Sequence, residues 1–146
     1  MSRSLSEGKK RKKTGTGKHL FFILIAAAVV IIDQLAKLVA RHNFPFTKNT
    51  GAAFGMLKGN AAALAWLAVI IIGLILYFYS SLPDSRLVRA SVALILGGVV
   101  GNLIDRVCLG YVTDFISLWI WPSFNIADSA ATIGVLLLLA WSIKKK

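Results

Sequence analysis

The chain has 146 residues, of which 57% are apolar, and its mean hydropathy of +0.73 lies well above that of a water-soluble domain. Seventeen basic residues against six acidic ones give a net charge of +11, which would suggest a nucleic-acid partner if the charge were spread over a folded surface. Instead, seven basic residues precede the first apolar segment and three lysines end the chain. The composition therefore excludes a soluble globule and a large extramembrane domain, and it favours one membrane domain that binds no nucleic acid.

Four apolar segments are each long enough to cross a bilayer, which takes about 20 helical residues. They cover approximately residues 20–39, 61–79, 87–104 and 126–143. Residues 1–18 are rich in Lys, Ser, Gly and Thr and predict a disordered basic tail, so that residues 19–146 form a single four-helix transmembrane domain. A cleavable signal peptide is the alternative interpretation of the first segment, but its apolar run is too long for one.

The basic residues predict the orientation of the four spans. The tails together with Arg86 and Arg89 carry 12 basic residues, whereas the loops at about residues 40–60 and 105–125 carry four. By the positive-inside tendency both termini are cytoplasmic and these two loops face outward. Turn residues and aromatics without a helical period predict small β elements in the loops, and residues 119–122 (Trp-Ile-Trp-Pro) are typical of an interfacial anchor. The predicted fold class is thus an all-α membrane protein with small β elements in its extracytoplasmic loops.

Too few sulfur and imidazole side chains are present for metal or thiol chemistry. Cys108 has no second cysteine with which to form an intrachain disulfide, and His19 and His42 are the only histidines. A structural zinc site takes four such ligands and a catalytic one takes three. We therefore expect no metal and no cofactor.

Four acidic side chains are predicted near the outer ends of the spans. They are Asp33, Asp105, Asp114 and Asp128. An ionised carboxylate at bilayer depth is energetically costly unless it is paired or hydrated, so each of the four is a candidate functional residue. The other two acidic residues fall in the tail and in the turn at residues 83–85, where neither needs such a role.

Each of these carboxylates also has a purely structural interpretation. Asp33 can form an ion pair with Lys37 one helical turn away, and Asp105 can pair with the arginine that follows it. Asp114 can be a solvated loop acid, and Asp128 can lie at a helix N-terminus, where the helix dipole favours a negative charge. The residues alone leave both interpretations open.

Polar amides and small residues accompany the acids. Asn49, Asn102 and Asn125 lie in or beside the apolar segments, and glycine-rich runs occupy residues 49–55 and 97–101. Small residues allow close approach of helices or of a peptide chain. We therefore expect helix packing at 97–101, and either a loop turn or a substrate-lining segment at 49–55.

A pair of aspartates is the best candidate for a catalytic group in this sequence. Two carboxylates in one site share a proton, because their repulsion disfavours ionising both, and such a pair can activate water against a peptide carbonyl without a metal. Paired intramembrane acids also serve proton relays, so a small proton- or cation-coupled transporter or channel subunit is the alternative function. Its acids would be spread through the depth of the bilayer. A non-enzymatic membrane assembly factor that uses its small residues for helix contacts is a further alternative.

Five motifs, in order along the chain, carry a family resemblance. They are DQLAK at 33–37, NTGAAFG at 49–55, GGVVGNLIDR at 97–106, VTDF at 112–115 and FNIADS at 124–129. With these motifs placed on four predicted spans, the sequence resembles the lipoprotein signal peptidases (signal peptidase II), the bacterial aspartyl membrane proteases that cleave lipoprotein precursors.

The resemblance implies that Asp114 and Asp128 are a catalytic dyad. It further implies that a second group of residues shapes the site or holds the substrate, namely Asp33, Lys37, Asn49, Gly51, Asn102, Asp105, Arg106 and Asn125. The implied substrate is a prolipoprotein whose cysteine carries a diacylglyceryl group, cleaved just before that cysteine. The implied location is the bacterial inner membrane, with the site near the outer leaflet and in contact with membrane lipid, and we expect a monomer.

Overall fold

A computed structural model describes residues 14–51 and 59–145 of the chain. Over these residues it contains four long α-helices, which are α1 (Thr14–Asn43), α2 (Ala61–Phe78), α3 (Arg86–Leu109) and α4 (Ile126–Lys144). Each lies in a segment long and apolar enough to cross a membrane, which confirms the four predicted spans. A short 3-10 turn, Tyr79–Ser81, follows α2.

The first helix begins earlier than the composition suggests. It starts at Thr14, within the 18-residue segment expected to be a tail, and residues 1–13 of that expected tail lie outside the described residues. Contacts with the turn between α2 and α3 explain the extension. Lys18 forms an ion pair with Asp84, and the hydroxyl of Tyr79 donates a hydrogen bond to the carbonyl oxygen of Lys18. The helical turn before the apolar run is therefore held by tertiary contacts.

The two longer loops form small antiparallel sheets, as expected. Strand β1 (Thr47–Asn49) pairs with β2 (Val112–Asp114), and β3 (Ile116–Leu118) forms a hairpin with β4 (Trp121–Phe124). Gly110 ends α3 in a left-handed conformation with φ of 77°, which reverses the chain into β2. Both sheets therefore lie at the end of the bundle where α1 and α3 finish and α2 and α4 begin.

Helix α3 is the centre of the bundle and contacts each of the other three helices. Its glycines permit this packing. A Cβ on Gly97 would lie 2.7 Å from the Cβ of Val29 in α1, and one on Gly98 would overlap the carbonyl oxygen of Ala127 in α4. The helix-packing interpretation of the run at 97–101 is thus correct. Away from the sheets, an apolar cluster fills the bundle: Phe22, Val88, Val92, Ala93 and Leu96.

The close approach of α3 and α4 can be tested by adding one methyl group. We expect Gly98→Ala to lower the free energy of unfolding by about 1 to 3 kcal/mol, because the new Cβ meets the backbone of Ala127 and cannot rotate away. Gly73→Ala in α2 is the control, since a Cβ there meets nothing within 4 Å. Thermal unfolding in detergent should show a lower midpoint for the first variant alone, and equal midpoints would contradict the packing.

Candidate active site

Asp114 ends strand β2 and is almost fully buried, with 2% of its surface exposed. Both carboxylate oxygens accept hydrogen bonds: Asn49 Nδ2 donates to Oδ2 at 2.8 Å, and Asn125 Nδ2 donates to Oδ1 at 2.6 Å. Burial raises the pKa of Asp114 to about 6, against the hydrogen bond from Asn49, which lowers it; the charge of Asp128 raises it further. This carboxyl group can therefore change its ionisation near neutral pH.

Asp128 lies in the first turn of α4, where a capping box fixes its side chain. The amide nitrogen of Asp128 donates to Asn125 Oδ1 at 2.9 Å, and the amide nitrogen of Asn125 donates to Asp128 Oδ2 at 3.2 Å. Asn102 Nδ2 donates to the other carboxylate oxygen at 2.7 Å. Asp128 therefore does lie at a helix N-terminus, as the structural interpretation predicts. The same cap also holds its carboxylate near that of Asp114.

The fully buried Asn125 joins the two carboxylates. Its side-chain amide donates to Asp114 Oδ1 and, at 3.1 Å, to Asn102 Oδ1, while its backbone amide donates to Asp128. Both acids are thus within hydrogen-bonding distance of one residue, and their charges interact. The solvated-loop interpretation of Asp114 is wrong, because strand pairing with β1 and the start of α4 enclose it.

A buried ion-pair network lies directly behind this pair. The ammonium of Lys37 is 2.8 Å from Asp33 Oδ2 and 3.4 Å from Asp105 Oδ2, and it donates to Asn102 Oδ1 at 2.9 Å. The side chains of Lys37 and both acids are at most 1% exposed. The predicted pairing of Asp33 with Lys37 is confirmed, and the same ammonium also reaches α3.

Each acid of the network also accepts a hydrogen bond from the backbone beside the dyad. Asp33 Oδ1 accepts from the amide nitrogen of Ala127 at 2.8 Å, and Asp105 Oδ2 accepts from the amide nitrogen of Thr113 at 2.8 Å. Ala127 directly precedes Asp128, and Thr113 directly precedes Asp114. The network therefore fixes the backbone next to Asp114 and Asp128, and with it the positions from which their side chains extend.

The expected ion pair between Asp105 and its neighbour Arg106 is absent from the described residues, so this prediction is wrong. Within the described residues, Asp105 makes its ion pairs with Lys37 and Arg41, whose Nη1 is 3.8 Å away. Consecutive helical residues point in different directions, so the two cannot share one face. Arg106 instead donates from Nη2 to the carbonyl oxygen of Gly51 at 3.3 Å, and the amide nitrogen of Gly51 donates to Asn49 Oδ1 at 2.9 Å.

Sequence reasoning missed two residues that complete the network. Arg41 was counted only for topology, yet its Nη1 also donates to Thr113 Oγ1 at 3.0 Å. Gln34 Nε2 donates to the carbonyl oxygen of Gly101 at 3.0 Å and is 3.3 Å from Asp105 Oδ1. The signal for Arg41 was its position eight residues after Asp33, which places both on one face of α1 with Lys37 between them.

A cleft of about 830 Å³ opens beside the pair. Asp128 lines it together with Asn49, Gly51, Asn102 and Arg106, and β4 and the first turns of α4 complete its wall. Asp114 does not line the cleft and lies behind Asn49 and Asn125. Residues 52–58, and with them the rest of the predicted NTGAAFG motif, lie outside the described residues.

Comparisons with known proteins agree with the fold and the motifs. Residues 25–144 match the family model described as signal peptidase (SPase) II. A lipoprotein signal peptidase of Moorella thermoacetica is 42% identical, covering 84% of this chain and 91% of its own, and one of Halothermothrix orenii is 35% identical, covering 81% and 92%. A bacterial membrane enzyme solved by the in meso method at 2.3 Å resolution is similar with a TM-score of 0.78 at 33% identity, covering 84% of this chain and 87% of that one.

The buried network predicts the effect of removing its cation. We expect Lys37→Met to lower the free energy of unfolding by about 3 to 5 kcal/mol, because two buried carboxylates lose their shared partner. Lys18→Met is the control, since Lys18 makes a partly exposed ion pair at the opposite end of the bundle and should leave the unfolding midpoint nearly unchanged. Chemical or thermal unfolding in detergent measures both, and equal losses would contradict the network's role.

The raised pKa of Asp114 predicts a pH-dependent stability. The folded state holds this proton up to about pH 6 whereas the unfolded chain releases it near 3.8, so Asp114 lowers stability as the pH rises through that interval. Asp114→Asn cannot ionise. We expect the unfolding midpoint of this variant, relative to the unsubstituted protein, to rise between about pH 4 and pH 6 and to level off above that interval. Asp84→Asn should show a constant difference, because the partner Lys18 lowers the pKa of Asp84. A constant difference for Asp114→Asn would exclude the raised pKa.

Proposed function

The chain belongs to the signal peptidase II family, a family of aspartic-type peptidases of bacterial membranes, and on that premise we propose that it removes the signal peptide from diacylglyceryl-modified prolipoproteins. Cleavage falls at the peptide bond just before the lipidated cysteine. The observation that carries the proposal is the pair Asp114 and Asp128, joined through Asn125 beside a cleft.

The pair supplies both proton-transfer groups that peptide hydrolysis needs. The ionised carboxylate takes a proton from a water molecule as its oxygen bonds to the carbonyl carbon, and the protonated carboxyl donates a hydrogen bond to the carbonyl oxygen. When the tetrahedral intermediate collapses, the carbon–nitrogen bond breaks and the leaving amine takes a proton from the pair. The products are a signal peptide with a new carboxylate and a lipoprotein whose first residue is the lipidated cysteine.

The remaining site residues position the dyad or border the substrate. Three side-chain amides donate to the carboxylate oxygens of the dyad, those of Asn49, Asn102 and Asn125. Asp33 and Asp105 accept from the backbone amides next to the dyad, and Lys37 donates to Asn102. Gly51 and Arg106 hydrogen-bond to each other on the cleft wall, where an extended peptide would lie. We propose that the active unit is a monomer, since the described dyad and its hydrogen-bond partners need no residue from a second copy.

The topology brings the substrate to this site. Basic residues at the far end of the bundle, including Lys18, Arg86, Arg89 and Lys144, favour that end as cytoplasmic, so both termini lie inside the cell. The dyad then lies near the outer leaflet of the inner membrane. A precursor held by its signal helix and its diacylglyceryl group presents its scissile bond at this level.

The packing of the bundle disfavours the transporter alternative. A proton or cation relay requires polar groups through the depth of the membrane, whereas the described half of the bundle away from the sheets is filled by the apolar cluster of Phe22, Val88, Val92, Ala93 and Leu96. Two of the four outer acids are engaged by the ammonium of Lys37. The grouping of the acids at one membrane face therefore favours a hydrolytic site over a proton or cation relay.

Substitution of the dyad tests the proposal. We expect Asp114→Asn and Asp128→Asn each to reduce cleavage of a diacylglyceryl-modified precursor by at least about 100-fold, because each removes one proton-transfer group. Asp84→Asn, which neutralises an exposed carboxylate at the opposite end, should cleave at the unsubstituted rate. Purified proteins in detergent, with unfolding midpoints recorded to confirm folding, provide the measurement. Full cleavage by either dyad variant would refute the assignment.

A further inference from the structure

The hairpin of β3 and β4 ends in the most exposed apolar side chains of the described residues. At its turn, Trp119 and Ile120 are 106% and 97% exposed, and their neighbours Leu118 and Trp121 are 57% and 59% exposed. Most large apolar residues on the helices keep part of their surface against the bundle, whereas these two project completely. So much apolar surface requires a non-aqueous partner.

The position of the hairpin indicates that this partner is lipid. Strand β4 leads directly through Asn125 into α4, and the tip lies four residues before Phe124, a reach of roughly 13 Å in an extended strand. The interfacial layer beyond each face of the hydrocarbon core is about 5 to 8 Å thick. This reach exceeds the thickness of the layer, so the tip lies within the interface when the hairpin runs along the membrane surface and not away from it.

The composition of the hairpin supports the same partner. Residues 115–124 contain no Asp, Glu, Lys or Arg, so no charge opposes insertion and none offers an ion pair to a protein partner. Tryptophan is the residue most typical of the interfacial layer. At the end of the bundle that carries the sheets, Val107 of α3 is likewise 70% exposed.

We propose that the hairpin tip, Trp119 and Ile120, inserts into the interfacial layer of the adjacent leaflet and contacts phospholipid there. The tip is then a membrane anchor separate from the four helices. This anchoring is independent of the proposed function.

One consequence does rest on the proposed function. Leu118, Trp121 and Pro122 belong to the same hairpin and line the cleft. An inserted tip holds this wall of the cleft at the lipid surface, so that a lipidated precursor enters sideways from the membrane without leaving it.

Fluorescence quenching tests the anchoring without any activity measurement. In a protein that keeps Trp119 and carries Trp66→Phe, Trp121→Phe and Trp141→Phe, reconstituted in phosphatidylcholine vesicles, we expect strong quenching when the acyl chains are brominated near the glycerol. Aqueous iodide should quench weakly. Strong quenching by iodide with none by brominated lipid would overturn the proposal.

A second variant keeps the test valid if the tryptophan substitutions disturb folding. Ile120→Cys in a Cys108→Ser background, labelled with a nitroxide, should be more accessible to oxygen than to a water-soluble nickel chelate. A label at Lys48→Cys, an exposed position on β1, is the matched control and should show the reverse. Equal nickel accessibility at both positions would place the tip in water and contradict insertion.

Discussion

The arrangement of the candidate active site depends on one buried cation. The ammonium of Lys37 lies between Asp33 on its own helix and Asp105 on α3, with all three side chains almost completely removed from solvent. Ions at this depth are tolerated only when their partners and hydrogen bonds are complete. Here Asp33 Oδ1 accepts the amide proton of Ala127, and Asp105 Oδ2, the oxygen that also faces Lys37, accepts the amide proton of Thr113. The contacts that satisfy the buried charges are therefore also the contacts that place the two candidate catalytic residues.

The glycines of α3 belong to this arrangement as much as the acids do. A Cβ on Gly101 would lie 2.8 Å from Asp33 Oδ2, so only glycine lets the carboxylate of Asp33 pass α3 to reach the start of α4. Gly98, one turn earlier, lets α4 approach closely enough for Ala127 to meet that carboxylate. Helix packing and electrostatics therefore act on the same contact, and Asp128, the residue after Ala127, lines the cleft.

The sequence alone predicted the four spans, because a bilayer demands long apolar segments whatever the details of packing. It also grouped four acids at one face, since topology follows from segment order. It did not predict that Asp105 would turn from Arg106 towards Lys37 and Arg41, because a partner on another helix depends on how each helix is rotated. Nor did it predict the burial of Asp114, which results from pairing between strands 65 residues apart, with Asn49 as its donor.

Amide hydrogen exchange at Ala127 and Thr113 measures the central constraint most directly. If each buried acid holds the backbone of one dyad residue, Asp33→Asn will accelerate exchange chiefly at Ala127, and Asp105→Asn will accelerate it chiefly at Thr113. If the two acids only balanced the charge of Lys37, each substitution would not act selectively on one amide. Equal acceleration at both amides in both variants, or none at either, would contradict the account.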